Sequence, residues 1–166
     1  MFFTMRRTHF FIAAASGIGL IVLFWCLSLW QPERQLLKHH QHFLQSIENR
    51  KWSKIERLLD PDYSDRWGYT RADFLRESRE VFRQFIALTL HEELVQTDLS
   101  AGTGTVTTRI RVEGTGSALA MLARDEANSL TTPFVFEWKK RSWKPWDWKL
   151  VRIDNQTLHF ERPSGF

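Results

Sequence analysis

One cysteine, Cys26, stands among 166 residues, so an internal disulfide and a cysteine-built zinc site are both excluded. Glycine and proline are scarce, at 8 and 5 residues, too few for a low-complexity or collagen-like chain. Charge of one sign is also in short supply: 23 Lys and Arg face 19 Asp and Glu. Arg6 and Arg7 alone supply two of the four excess positive charges. The remainder is not basic enough to point to nucleic acid. No Walker loop, GxGxxG, GxSxG, HExxH or EF-hand pattern occurs. Nucleotide hydrolysis, Rossmann-type redox chemistry and serine-hydrolase chemistry therefore have no support, and no cofactor is expected. At this length the chain makes one folded domain with at most one short appendage.

What is present begins with a run free of charge from Phe10 to Trp30, FFIAAASGIGLIVLFWCLSLW. As a helix it would measure ~32 Å, about one bilayer hydrocarbon core. Trp25 and Trp30 lie toward its far end, where indoles favour the membrane interface. Arg6 and Arg7 before it favour a cytoplasmic N-terminus. The run exceeds the ~7–15 residues of a signal-peptide core, and Cys26-Leu27-Ser28 is a poor cleavage pattern. The expectation is a single-pass protein of the cell membrane. It would have a cytoplasmic tail at 1–9, a transmembrane helix at 10–30 in contact with lipid, and an extracytoplasmic domain at 31–166, periplasmic in a bacterium.

The rest reads as α+β. Leu36, Leu37, His40, Phe43, Leu44 and Ile47 recur at helical spacing and predict a helix over 33–49. Ser53 and Glu56 form a capping box for a short second helix that Asp60-Pro61 ends. Tyr63 to Gly68 is extended, and Thr70 with Asp73 caps a third helix carrying Phe74, Leu75, Ser78, Val81, Phe82 and Phe85. The period then changes to two. Ile86, Leu88, Leu90 and Leu94 share one strand face; Thr89, His91 and Glu93 share the other. Gly102 to Gly104 is the expected turn, and Val106 to Val112 the returning strand. Ala118 to Asn128 predicts a connecting helix. Phe134, Phe136 and Trp138 mark a third strand. Trp148, Leu150 and Arg152 mark a fourth.

This order, with TRADFLRESREVF, PFVFEW and WDWKLVRID as its local flavour, resembles the nuclear transport factor 2-like (cystatin-like) superfamily over about residues 33–155. The resemblance implies three helices on a curved four-stranded antiparallel sheet that forms a cone with an apolar pocket. It also implies a function drawn from isomerases, dehydratases and cyclases or from non-catalytic binding and assembly domains. Such cones often pair through the outer sheet face, which implies a homodimer. A short tail, one anchor and an external cone are similar in architecture to the inner-membrane assembly subunits of type IV secretion systems.

Enzymes of the superfamily use pocket acids near the segment after helix two, which here implies Asp65 or Asp62 as catalytic carboxylates and Tyr63 and Trp67 as pocket lining. The isomerases place a tyrosine on the first helix; this chain has none there. His91 lines the pocket if its strand face is concave and is solvated if that face is convex. Of His39, His40 and His42, only His39 and His42 share a helix face, at i, i+3, and two imidazoles fall short of the three protein ligands a catalytic zinc usually takes. The three read as a solvated pair and one core histidine, so no metal is expected. The alternation puts Trp138 and Trp148 in the core. Trp143, Lys144 and Trp146 lie in the intervening loop, where indoles mixed with cations suit an anionic lipid surface or a protein partner. The leading expectation is a tethered binding or assembly domain without catalysis, acting through the pocket or loop 140–147.

Overall fold

Helix α1, Pro32–Glu48, lies in the curve of the sheet and buries Leu36, His40, Phe43, Leu44 and Ile47 along one stripe. The structure is a computed structural model and describes residues 31–158. The expected tail 1–9 and transmembrane helix 10–30 lie outside the described residues. Among the described residues no helix is long and apolar enough to cross a membrane.

Proline at the first turn opens α1, where its missing N–H costs nothing. Arg50 closes it in the left-handed region (φ 54°), while the Lys51 amide donates to the Ser46 carbonyl at 2.8 Å. That tight reversal leads directly into α2, Trp52–Leu58, whose N-cap is Lys51 with no side-chain cap. The capping box expected at Ser53 is therefore absent, because the turn places Ser53 inside the helix. In α3, Arg71–Arg83, the expected box is complete: Thr70 and Asp73 each satisfy the other's amide. Arg50 then ties the junction to the end of α3, donating to the Phe82 and Phe85 carbonyls at 3.0 and 2.6 Å.

The sheet is a meander ordered β1-β2-β3-β4 and antiparallel throughout. β1 is Phe85–Ser100, β2 Thr103–Gly116, β3 Phe134–Lys140 and β4 Trp148–Asp154. α4, Ala118–Ser129, connects β2 to β3. Beyond Thr108, β2 has no β3 partner. There Asn128 of α4 substitutes for a strand, accepting from the Val112 amide at 2.8 Å and donating to its carbonyl at 2.9 Å.

Three bulges bend the sheet, and each reverses the inside–outside alternation. One leaves Ile86 unpaired between Phe85 and Ala87, and a second leaves Val95 between Leu94 and Gln96. The third leaves Val151 beside Glu137 and Trp138. Consequently Ile86, expected inward, is 83% exposed. Arg152 pairs across the sheet with Glu137, and Ile153 takes the buried place after Leu150. Phe85 is buried as the first residue of β1 rather than on α3. The hairpin turn is Ala101-Gly102, with Gly102 at φ 80°. Gly104 instead sits within β2 under α1, where a Cβ would stand 2.5 Å from Leu36 Cδ2. Its missing side chain lets the helix approach the sheet.

Candidate functional site

The cone is filled. Phe43 of α1, Phe136 and Trp138 of β3, Trp148 and Leu150 of β4 and Tyr63 are all at most 3% exposed and belong to one cluster. Phe43 meets Phe136 and Trp138 edge-on at 6.2 and 6.1 Å between centroids. Open clefts of about 770, 400 and 340 Å³ lie on the outer helical surface rather than inside the cone.

A polar contact interrupts this interior. His40 of α1 is fully buried, 4.6 Å from the Phe136 ring centroid, and its Nε2 lies 2.8 Å from Glu92 Oε1 on β1. Glu92 reaches the surface with one-fifth of its side chain. Burial pushes its carboxyl up, but His40 and the Thr108 hydroxyl hold it below the ordinary value. Among the described residues neither ring nitrogen of His40 has a well-aligned hydrogen bond, so the Nε2–Glu92 approach is a close contact rather than an aligned bond. A carboxylate touching an imidazole can move a proton, so this pair gives the wall of the cone acid–base character. Sequence reasoning placed His40 on the stripe but did not single out Glu92. The available signal was a charge in the inward row Leu88, Leu90, Leu94.

The implied catalytic acids are elsewhere. Asp62 is on the surface, its side chain 86% exposed and 3.5 Å from Arg141. Asp65 is buried but engaged: its carboxylate accepts from the Tyr69 amide at 2.8 Å and faces the Tyr63 hydroxyl at 3.5 Å. Burial, and then the Asp65 charge, push the Tyr63 hydroxyl well up. Tyr63 packs on Phe74, at 5.4 Å between ring centroids, as core rather than as pocket lining. Trp67 is half-buried against the same cluster and donates to the Leu158 carbonyl at 2.9 Å. His91 lies on the convex face, half exposed, 3.2 Å from Glu113. It does not line the interior, because the inward residues of that stretch are the even-numbered ones that end at Glu92 and Leu94.

The loop after β3 is built differently. Trp143 and Trp146 are 75% and 62% exposed, while Pro145 between them is buried. Lys144 is exposed. Several contacts hold the loop in place. Arg141 makes a two-pronged ion pair with Asp60, which is fully buried behind α2. Burial pushes the Asp60 carboxyl up, yet Arg141 and the Asp62 amide hold it below the ordinary range. The Arg141 amide donates to the Asp147 carbonyl at 2.9 Å, closing the loop on itself. His39 of α1 lies between the Gln35 carbonyl, 2.7 Å from Nδ1, and the Trp146 carbonyl, 2.8 Å from Nε2. The three histidines of α1 thus part company: His39 serves the loop, His40 the core, and His42 is exposed. Among the described residues no cluster of three metal-ligating side chains occurs.

No family model matches the chain, and no curated protein does. Solved structures do. A conserved protein from Planctomyces limnophilus superposes with a TM-score of 0.58 at 10% identity, over 74% of this chain and 93% of that one. A candidate dehydratase of the nuclear transport factor 2-like family from Streptomyces avermitilis gives 0.54 at 16%, over 74% and 93%. Bd1075 from Bdellovibrio bacteriovorus gives 0.53 at 14%, over 73% of this chain; the chain spans only 38% of Bd1075. At such identities the likeness defines the fold, which is nuclear transport factor 2-like, and leaves activity to the site.

Proposed function

We propose that this chain is a membrane-anchored, extracytoplasmic binding or assembly domain without catalytic activity, working through loop 141–147. One observation carries the reading. The cone that would hold a substrate is occupied by Phe43, Phe136 and Trp138, whereas Trp143 and Trp146 stand exposed on a loop held at both ends. Soluble proteins rarely leave large apolar side chains together in water without a use for them. The anchor is the charge-free run 10–30.

Two experiments test it. Membranes washed with alkaline carbonate should retain the full chain and release an Ile18→Arg, Leu23→Arg variant, since each central charge costs ~2.5–3.5 kcal/mol on insertion scales. Equal release of both sinks the anchor. A photo-reactive residue at position 143 of the full chain should label a lipid or protein in native membranes; an unlabelled loop sinks the binding role.

A second reading, an isomerase, dehydratase or cyclase, draws support from the His40–Glu92 contact rather than from Asp62 or Asp65. It requires that a small carbonyl or hydroxyl compound raise the melting temperature and that Glu92→Gln remove the rise. A filled cone gives no rise with either protein.

A further inference from the structure

We infer that loop 141–147 docks on the anionic surface of the bilayer that holds the chain's own N-terminal segment, seating the cone against the membrane in a fixed orientation. The inference rests on the anchored reading above and names the partner of its loop.

The position of the loop comes first. His39, which touches the Trp146 carbonyl, is seven residues into a helix that begins at Pro32. At 1.5 Å per residue that is ~10 Å of helix. Gln31 alone separates Pro32 from Trp30, the end of the charge-free run, and two extended residues span at most ~7 Å. With the His39 side chain and its contact added, the loop backbone stands within about 25 Å of the membrane exit, whatever angle α1 makes with the bilayer. A headgroup layer is ~5–8 Å deep, so this distance is short enough for a pair of indoles to bridge when the cone leans toward the surface.

The chemistry of the loop comes second. Trp143 and Trp146 are the side chains that favour an interface, with an apolar body and a polar N–H. Lys144 is exposed between them, Lys139 is exposed on the adjoining strand, and α1 carries Arg34 and Lys38 at exposed positions in its first two turns. Glu33, the half-buried Asp147 and the exposed Asp62, 3.5 Å from Arg141, are the acids of the same region, while the buried Asp60 is neutralised by Arg141. The balance is positive, which favours anionic headgroups over zwitterionic ones. Rigidity comes third. Asp60, through Arg141, holds the loop in place before any lipid arrives.

The test uses the full chain reconstituted in vesicles of phosphatidylcholine alone, or with phosphatidylglycerol, each prepared with and without acyl chains brominated near the headgroup. The signal is the difference in tryptophan fluorescence between the natural chain and a Trp143→Phe, Trp146→Phe variant, which removes the two exposed indoles and leaves the core ones. The brominated lipid should quench that difference in anionic vesicles, and quench it less in neutral ones. Lys144→Glu, at an exposed position away from the core, should restore the signal in anionic vesicles. If the chain floats with the vesicles and the difference signal is unquenched in both lipids, the loop faces away from the bilayer. That outcome overturns the inference and leaves a protein as the loop's partner. If the chain does not float with the vesicles, the anchored reading itself has failed.

Discussion

Four tryptophans fall between residues 138 and 148, and they divide into two pairs with opposite fates. Trp138 and Trp148 are 1% and 2% exposed; Trp143 and Trp146 are 75% and 62% exposed. The first pair sits on inward strand positions facing α1, where burial removes a large apolar surface from water. The second pair sits on a loop that buries Pro145 and is tied through Arg141 to Asp60, a buried residue after α2. The same side chain thus serves cohesion in one place and display in the other. The difference is one of backbone placement: strand pleat turns the first pair in, and the pinned loop holds the second pair out.

That contrast can be broken from either side. The largest effect belongs to Trp138→Ala, which empties the space against His40 and Phe43 and should cost ~3–5 kcal/mol in a urea titration. A loss below that range would mean the cone collapses onto the vacancy. Next comes Asp60→Asn, which leaves Arg141 without its buried partner. The loss should be smaller than for Trp138, since one-third of Arg141 is in water. Because the folded Asp60 carboxyl titrates below its unfolded value, its contribution is present above the ordinary carboxylate range and is lost as pH falls through the lowered value. The natural chain should therefore lose more stability on acidification than the Asp60→Asn variant, and parallel acid profiles would remove Asp60 from the account.

Glu92→Gln is milder, about 1 kcal/mol, because the amide keeps one contact with His40 and gives up its charge. Glu92 is also held below its ordinary value, so this variant too should flatten the acid limb. The smallest effect on stability is that of Trp143→Ala with Trp146→Ala, within ~0.5 kcal/mol for each exposed site, together with loss of the association proposed for the loop. A large fall in melting temperature for this double variant would erase the distinction between the two pairs.

Element order and the change from helical to strand period were legible, because Leu36 to Ile47 and Val106 to Val112 repeat without interruption. The faces of the outer strands were less so. Alternation assumes an unbroken pleat, and Ile86, Val95 and Val151 each add a residue that reverses it. Ile86 and Arg152 were misplaced for that reason. Nothing local marks a bulge here, since all three are β-branched residues that fit an ordinary strand. The His40–Glu92 contact was half legible: each residue interrupts an apolar row, but only the fold brings the rows face to face. The pinning of the Trp loop was not legible at all, since Asp60 and His39 lie far from Arg141 and Trp146 in the chain.

Asp60, Arg141 and His39 fasten the loop in the folded domain, ahead of the association proposed for it. A flexible recognition loop surrenders conformational freedom when it meets its partner, and that entropic cost weakens the complex. Here the ordering was completed when the domain folded. The contact proposed for Trp143 and Trp146 would therefore start from a shape already set, and calorimetry of it should show little of the unfavourable entropy that accompanies loop ordering.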